Sequence, residues 1–235
     1  MKTLAIITAR GGSKRILKKN IKEFCGKPII AYSIEAALES SCFSEVMVST
    51  DDNEIKEVSL KYGAKVPFMR SEVTSDDFAG TEDVVLEVIN NYEKAGNKFE
   101  YACCIYPTAP FIMAEKLIKS FEILKRDKTD SVIPIVKFDF PVQRALKIVS
   151  NRLEYATPEY AEMRSQDLEP MYHDCGQFYW IKVDSFLNQK NLFMKNTKGF
   201  EIPENEARDI DTEEDWKIAE VLYACLKKEN EIYEF

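Results

Sequence analysis

The sequence has little of the chemistry that covalent cross-links or zinc sites require. It contains one histidine, His173, and no two cysteines spaced as C-x-x-C. The six cysteines are scattered, apart from Cys103 and Cys104, which are adjacent in an apolar run. Neighbouring side chains of a strand point to opposite faces, so these two are poorly placed to pair. We therefore expect neither a disulfide framework nor a zinc site.

Long apolar runs are also missing at the start of the chain. The first apolar segment, residues 1–8, is short and is followed by Arg10. It predicts a buried strand rather than a signal peptide or a membrane span. The expectation is a cytoplasmic protein that does not bind a membrane.

Positive charge is scarce except in one segment. The formal net charge is −8, yet residues 1–30 hold eight Lys or Arg and only one acidic residue. An acidic protein with a single basic segment is poorly suited to long nucleic acid, which attracts broad basic surfaces. The pattern favours a small anionic ligand held at one site.

Two common glycine-rich motifs, G-x-x-x-x-G-K-[ST] and G-x-G-x-x-G, are absent. Instead, strand-like and helix-like segments alternate over the first two-thirds of the chain. Strands are predicted at residues 4–8, 46–50, 65–69, 101–106, 131–136 and 177–183. Helices are predicted at residues 28–39, 83–92 and 213–226, and around residues 55–62 and 117–124. This alternation predicts an α/β fold of three layers with a mainly parallel sheet.

Polar loops at residues 8–20, 49–53 and 107–110 each follow a predicted strand. Ligands of parallel sheets bind at the carboxyl ends of the strands, so we expect these loops to meet at one edge. Between residues 137 and 172 the alternation breaks. That segment is predicted to leave the core and to add short strands.

The loop after the first strand, Thr8–Asn20, is the first candidate for chemistry. The adjacent Gly11 and Gly12 let the backbone approach a ligand closely, and N–H groups of such loops can hold phosphate oxygens. Arg10 and Lys14 would add mobile positive charge. The alternative is a tight turn with a solvated basic surface.

Asp209 and Asp211 form the second candidate. Residues two apart in a strand face the same way, so their carboxylates can share a hard cation such as Mg²⁺. The alternative is that Asp211 or Thr212 only caps the helix that follows.

Two further segments place polar or aromatic side chains near strand ends. Arg70 suits an anionic group, with Thr81 beyond the next polar loop, although a surface ion pair is the alternative for the arginine. The run from Met171 to Trp180 is typical of a substrate-lining strand entry. It does not predict an acid–base pair of His173 and Asp174, because neighbours in a strand point apart.

Together these motifs resemble the CMP-sugar synthetases for nine-carbon acidic sugars, which are related to the sialic acid cytidylyltransferases. The resemblance runs over nearly the whole chain. It is carried by Ala9–Lys14 with Lys19–Ile21, then by Val48–Asp51, Pro107–Pro110 and Asp209–Glu213. It implies a cytidylyltransferase that uses CTP, an acidic nine-carbon sugar and Mg²⁺, and releases pyrophosphate.

The resemblance also implies roles for individual residues. Lys14, Lys19, Asp209 and Asp211 correspond to catalytic positions, and the two aspartates to magnesium ligands. The nucleotide-binding positions are Ala9, Arg10, Gly11, Gly12, Ser13, Lys14, Asn20, Arg70 and Thr81. The sugar-binding positions are Tyr106, Arg144, Arg164, Tyr172 and Gln177.

The domain organisation follows from the same resemblance. Residues 1–235 would form one nucleotidyltransferase domain. Residues 137–172 would form an inserted subdomain that mediates dimerisation and caps the sugar site of the partner. A homodimer is the expected assembly.

The chain departs from the sialic acid enzymes at two places near the implied sugar site. Tyr106 stands where those enzymes have Gln, and Cys175-Gly176-Gln177 where they have Asn-Gly-Ala. Both segments look more like the pseudaminic acid cytidylyltransferases, which act in bacterial surface-glycan and flagellin glycosylation. The expected sugar is therefore pseudaminic acid. The alternatives are N-acetylneuraminic or legionaminic acid, a transferase that uses a ready-made nucleotide sugar, and a nucleotide sensor without catalysis.

Overall fold

The structure is a computed structural model that describes residues 1–76 and 78–233, with side chains described to residue 228. The elements of the first half are β1 (Thr3–Thr8), β2 (Glu23–Phe24), β3 (Lys27–Pro28), α1 (Ile29–Glu39), β4 (Glu45–Ser49), α2 (Asn53–Lys61), α3 (Glu72–Ser75), α4 (Thr81–Lys94) and β5 (Tyr101–Ile105). Those of the second half are α5 (Ala114–Arg126), β6 (Ser131–Lys137), β7 (Leu146–Val149), β8 (Arg152–Tyr155), β9 (Tyr172–Asp174), β10 (Phe178–Lys182), α6 (Val183–Gln189), β11 (Thr197–Glu201) and α7 (Glu213–Tyr233).

Seven strands form the central sheet, in the order β11-β6-β10-β5-β1-β4, with β9 paired to the end of β6. Strand β1 is parallel to β4 and β5, and β6 is parallel to β11. Because β10 lies antiparallel between β5 and β6, those two run the same way. Only β9 and β10 oppose the other five strands, so the prediction of a mainly parallel sheet is confirmed.

Alternation along the strands produces the three layers. In β1, Ala5 and Ile7 pack in one core cluster and Leu4 and Ile6 in another on the opposite face. Helices α1 and α5 supply side chains to the first cluster, and α4 and α6 to the second. Cys103 and Cys104 are likewise divided between the two faces. The period of two along each strand therefore buries both faces of the sheet, as the apolar strands predicted.

The loops that build the site are anchored by helix caps and by a third core cluster. Asp52 accepts hydrogen bonds from the N–H groups of Glu54 and Ile55 and thereby caps α2. Trp216 of α7 packs edge-on against Phe24, which belongs to the short hairpin after the first loop. The last helix therefore brings the segment before it, residues 209–212, beside residues 15–22.

One predicted strand is wrong. Residues 65–69 make only an isolated bridge, between Lys65 and Met47. The segment does run beside β4, since Lys65 N–H donates to Val46 and Arg70 N–H donates to Thr50. Between these two contacts stands Pro67, which has no N–H group to donate. The ladder therefore does not continue, and Arg70 is delivered by an irregular segment.

The segment from 137 to 172 does leave the core and add short strands. Strands β7 and β8 pair only with each other, as an antiparallel hairpin. Leu146 and Ile148 lie directly opposite Tyr155 and Leu153, so four large side chains share one face. All four are exposed. That this segment mediates dimerisation remains a prediction.

Among the residues that the structure covers, none of the helices combines the length and the apolar composition needed to span a membrane.

Candidate active site

The loops that follow β1, β4 and β5 meet at one edge of the sheet, as the strand order requires. Here they line a cleft of about 510 Å³, the main cleft. The backbone N–H of Gly11 donates to Asp51 at 2.9 Å, which ties the first loop to the second. The predicted site residues that line the main cleft are Arg10, Ser13, Lys14, Lys19, Asn20, Arg70, Thr81, Tyr106 and Asp211.

Gly11 is required by its neighbour in the fold rather than by a ligand. A Cβ at this position would lie 2.9 Å from the Cβ of Asp52, which is held as the cap of α2. At Gly12 no atom lies within 4 Å of a built Cβ, so this position is open. The sequence suggested that Gly11 lets a phosphate approach the backbone closely. In the structure it is Asp52, the cap of α2, that approaches Gly11 closely.

Several N–H groups of this loop donate within the protein. Ala9 donates to the carbonyl of Ser49 and Ser13 to that of Gly11, both at 2.9 Å. The N–H of Gly11 is also used, by Asp51. These three N–H groups are therefore not available to an anion, whereas cationic side chains of the loop line the cleft. Ala9 itself is completely buried, so it supports the loop from below.

Cationic side chains lie along one wall of the main cleft. The guanidinium of Arg10 donates at 2.9 Å to the carbonyl of Asp76, which also lines the cleft. Lys19 is only 17% exposed, and its Nζ lies 3.5 Å from Asp211. Lys14 lines the same cleft. Three positive groups within one cleft can offset the charge of a polyphosphate.

Asn20 and Arg70 are held in place by buried hydrogen bonds. The amide of Asn20 donates to the carbonyl of Arg10 at 2.8 Å. Arg70 donates through Nε to the hydroxyl of Ser49 at 3.0 Å, and through Nη2 to its carbonyl at 2.6 Å. Burial lowers the pKa of Arg70, and the carboxylate of Asp51 opposes that shift. The alternative of a surface ion pair for Arg70 is excluded, because this residue is 8% exposed.

Asp209 and Asp211 stand in an irregular segment, so the strand assumed for them is wrong. The intervening Ile210 is completely buried, and Asp211 lines the main cleft whereas Asp209 lines an adjoining cavity that shares Tyr106 with it. Asp211 faces Arg15 at 2.8 Å and Lys19 at 3.5 Å. Burial, and then the charge of Asp211, raises the pKa of Asp209. The two carboxylates are therefore close enough to repel each other.

Helix capping does not account for Asp211. Thr212 and Asp215 form a reciprocal capping box, in which Thr212 N–H donates to Asp215 at 3.0 Å and Asp215 N–H donates to Thr212 at 3.1 Å. The start of α7 is thus satisfied by these two residues. Asp211 remains directed into the main cleft.

Two nearby carboxylates fit a magnesium ion. Within the described residues, no group of three or more His, Cys, Asp or Glu side chains is arranged to hold a metal alone. Mg²⁺ is commonly bound by one or two carboxylates together with water and substrate phosphates. Asp209 and Asp211 match that donor set, beside cations that suit a phosphate.

A second cavity opens on the other side of Tyr106. This side cavity of about 430 Å³ shares Thr81 and Tyr106 with the main cleft, and Tyr172 also lines it. Its apolar wall was not predicted from the sequence. The wall comes from Ile133, Ile135, Leu192, Phe193 and Gly199, on β6, β11 and the segment after α6.

Three predicted sugar-binding residues are not among those that line the main cleft or the side cavity: Gln177, Arg144 and Arg164. Gln177 is 1% exposed, and its amide donates to the carbonyl of Glu206 at 2.7 Å. Arg144 donates to the hydroxyl of Ser165 at 3.3 Å, and Arg164 pairs with Asp167 at 2.7 Å. In the described part of this chain, neither arginine lines the main cleft or the side cavity.

Comparison with known proteins gives one family. The family model described as Cytidylyltransferase matches residues 4–233. A pseudaminic acid cytidylyltransferase of Campylobacter jejuni subsp. jejuni is 42% identical over 95% of this chain and 97% of its own length. The CMP-N,N'-diacetyllegionaminic acid synthase of Legionella pneumophila is 33% identical over 94% of this chain and 96% of its own.

A solved structure shares the fold at lower identity. The CTP complex of CMP:2-keto-3-deoxy-manno-octonic acid synthetase covers 95% of this chain and 99% of its own, with a TM-score of 0.71 and 19% identity. At that identity the likeness establishes the architecture alone.

Proposed function

Because the chain belongs to the cytidylyltransferase family, we propose that it transfers CMP from CTP to the anomeric hydroxyl of pseudaminic acid, giving CMP-pseudaminic acid and pyrophosphate. The observation that carries the proposal is the division of one site by Tyr106. A cationic cleft lined by Asp211 lies on one side, with Asp209 in an adjoining cavity, and a cavity with an apolar wall lies on the other. Such a site can hold a nucleoside triphosphate next to a second, less charged substrate.

The choice of sugar is supported by the relative that is 42% identical and acts on pseudaminic acid. The side cavity is part of the same argument, since Tyr106 and Tyr172 line it. The relative that is 33% identical makes CMP-N,N'-diacetyllegionaminic acid. Legionaminic and N-acetylneuraminic acid are therefore the alternatives for the same reaction.

In the proposed reaction the anomeric oxygen attacks the α-phosphorus of CTP in line with the leaving group. A bond forms between these two atoms, and the bond from the α-phosphorus to the bridging oxygen breaks. Pyrophosphate leaves with that oxygen, and the hydroxyl proton passes to solvent. Arg10, Lys14 and Lys19 offset the charge that develops on the leaving group, and fixed cations are most effective where water is excluded.

Asp209 and Asp211 are the residues that would hold Mg²⁺ in this proposal. Bound there, the cation supplies positive charge to the phosphate oxygens. Because Lys19 and Arg15 already contact Asp211, the carboxylate is oriented before a ligand arrives. That orientation reduces the rearrangement needed at the reacting phosphate.

A homodimer is part of the same proposal. Four large side chains share an uncovered face of the β7–β8 hairpin, with Ile148 75% and Leu153 69% exposed. A two-stranded hairpin is marginally stable alone, and exposed apolar patches commonly mark interfaces. Arg144 and Arg164 lie in this segment and would reach the side cavity of the partner.

We also place the protein in the cytoplasm. All six cysteines are free thiols in the structure, which suits a reducing compartment.

The proposal is tested by measuring pyrophosphate release with CTP, Mg²⁺ and each of pseudaminic, legionaminic and N-acetylneuraminic acid. Pseudaminic acid should give the highest kcat/KM. Reactions without sugar, or with UTP in place of CTP, are the controls. Faster turnover of another acid would replace the sugar, and CTP binding without pyrophosphate release from any acid would overturn the function. Product formation from a nucleotide sugar with no pyrophosphate would indicate the transferase alternative.

A further inference from the structure

Tyr106 forms the wall between the main cleft and the side cavity. It also lines a third cavity of about 420 Å³, together with Asp174, Gly176 and Tyr179. The rings of Tyr106 and Tyr179 lie 5.4 Å apart at a tilt of 54°. The hydroxyl of Tyr106 is 3.3 Å from that of Thr81, at the start of α4. Tyr106 therefore borders all three cavities.

Asp174 uses its two carboxylate oxygens on two different partners. Oδ2 accepts a hydrogen bond from the hydroxyl of Tyr179 at 2.6 Å. Oδ1 accepts from the backbone N–H of Gly176 at 2.9 Å. Asp174 is exposed, whereas Tyr179 is 5% exposed. The carboxylate thus connects an exposed strand end to a buried ring, and hydrogen bonds to an ionised acceptor are stronger than neutral ones.

The neighbouring histidine takes no part in this arrangement. His173 Nδ1 lies 2.9 Å from the backbone carbonyl of Asp174, and its ring packs on Phe138. The side chains of His173 and Asp174 therefore do not form an acid–base pair, as their adjacent positions in a strand predicted.

The turn at Gly176 supports Tyr106 from behind. Gly176 has a φ of +61°, and a Cβ built on it would lie 3.8 Å from the Tyr106 ring. The backbone N–H of Tyr106 donates to the carbonyl of Gln177 at 2.8 Å. The Gly176 turn and the Tyr179 ring thus lie against Tyr106 at two places. Asp174 accepts a hydrogen bond from each of them.

We propose that Asp174 is a positioning residue for the second substrate, acting through Tyr179 and the Gly176 turn to set the Tyr106 ring and hydroxyl. This inference rests on the proposed function, in which the acidic sugar occupies the side cavity. All three side chains line the side cavity, where Asp174 holds the Tyr179 hydroxyl and, with the Gly176 turn, the position of the Tyr106 ring. The nucleotide is held by other groups, Arg10, Asn20 and Arg70 among them. Loss of the arrangement should therefore affect the sugar and leave CTP binding intact.

The test compares Asp174→Asn, Tyr179→Phe and the double variant by steady-state kinetics. Each single variant should raise KM for the nonulosonic acid about tenfold and leave KM for CTP within about twofold. The double variant should match Tyr179→Phe, because the Tyr179 hydroxyl is then absent and the amide oxygen that replaces the carboxylate can still accept from the Gly176 N–H. Tyr179→Phe retains the ring and its packing, so it keeps the test valid should Asp174→Asn fold poorly.

Tyr32→Phe is the matched structural control. It removes a buried hydroxyl that donates to the carbonyl of Phe24 at 2.7 Å, and Tyr32 is not among the residues that line the three cavities. It should lower Tm without changing either KM. If Tyr179→Phe behaves the same way, or if both KM values of the two variants rise together, the positioning role is wrong. If the wild-type enzyme releases no pyrophosphate with any of the three acids, the proposed function fails first and the inference fails with it.

Discussion

The main cleft and the side cavity meet at Tyr106 but differ in the side chains that line them. In the main cleft, charged side chains come from loops at the ends of parallel strands, and each is tied to a neighbour by hydrogen bonds or ion pairs. In the side cavity one wall is apolar and comes from β6, β11 and the segment after α6, and the charged side chains that complete the lining are Glu82, Asp174 and Lys198. The first region suits recognition by charge, and the second suits recognition by shape. Changes in the first should therefore act on rate, and changes in the second on the choice of sugar.

The largest effect is expected at Asp211, where the charge argument is strongest. Asp211→Asn should reduce kcat by roughly 10³-fold, the size associated with losing one group that stabilises transition-state charge. Glu214→Gln is the matched control, since it removes an exposed carboxylate three residues away. Pyrophosphate release over a range of Mg²⁺ concentrations measures both. Full activity of Asp211→Asn would remove this residue from the metal site.

Lys19 should have the next largest effect. Its ammonium is mostly buried and lies beside Asp211, so removal of its charge leaves the cleft less able to hold a triphosphate. Lys19→Gln should lower kcat/KM for CTP by roughly 10²-fold. Lys18→Gln is the control, because Lys18 is exposed and pairs with Glu54 at 2.5 Å. Equal losses in the two variants would mean that general basicity, and not this position, matters.

A change of shape in the side cavity should act on the sugar alone. A Cβ at Gly199 would lie 2.4 Å from Cδ1 of Ile135, so Gly199→Ala should displace the Ile135 side chain. KM for the nonulosonic acid should rise about tenfold, in line with the effect of one methylene in an apolar pocket. KM for CTP should stay unchanged.

Ile135→Val provides the rescue for that experiment. It removes Cδ1, and the Gly199→Ala/Ile135→Val enzyme should recover most of the lost affinity. A loss that persists in the double variant would point to damage in the β6–β11 pairing instead, and thermal unfolding would detect it.

The smallest effect on turnover is expected at the β7–β8 hairpin. Ile148→Glu should weaken dimerisation by about tenfold or more, since it places a charge in the centre of an apolar face. Lys147→Gln is the control on the same strand. Sedimentation velocity over a range of concentrations measures the dimer, and a monomeric wild-type protein would contradict the assignment. A fall in activity along with dimer loss would support a contribution of Arg144 or Arg164 to the partner.

Part of this fold was predictable because its signals are local. The apolar strand at residues 3–8 and the cap of α2 at Asp52 depend on neighbours in the chain. Strand β11 was missed because Lys198 and Gly199 lack an alternating apolar pattern. It forms by pairing with β6, more than sixty residues earlier. The strand expected at residues 65–69 failed for the opposite reason, since Pro67 interrupts a segment whose apolar composition is otherwise suitable.

The sequence by itself determined the family, the alternating order of strands and helices, and the basic loop with its two distant aspartates. These depend on residue type and short-range spacing. Tertiary structure alone decided that Gly11 is needed by the cap at Asp52, that the side cavity has an apolar wall, and that Asp174 holds Tyr179. The first contact depends on how β1 pairs with β4, and the other two depend on how β9, β10 and β11 pair with β5 and β6. Local preference carries no information about such pairings, because their free energy is gained only when distant parts of the chain pack together.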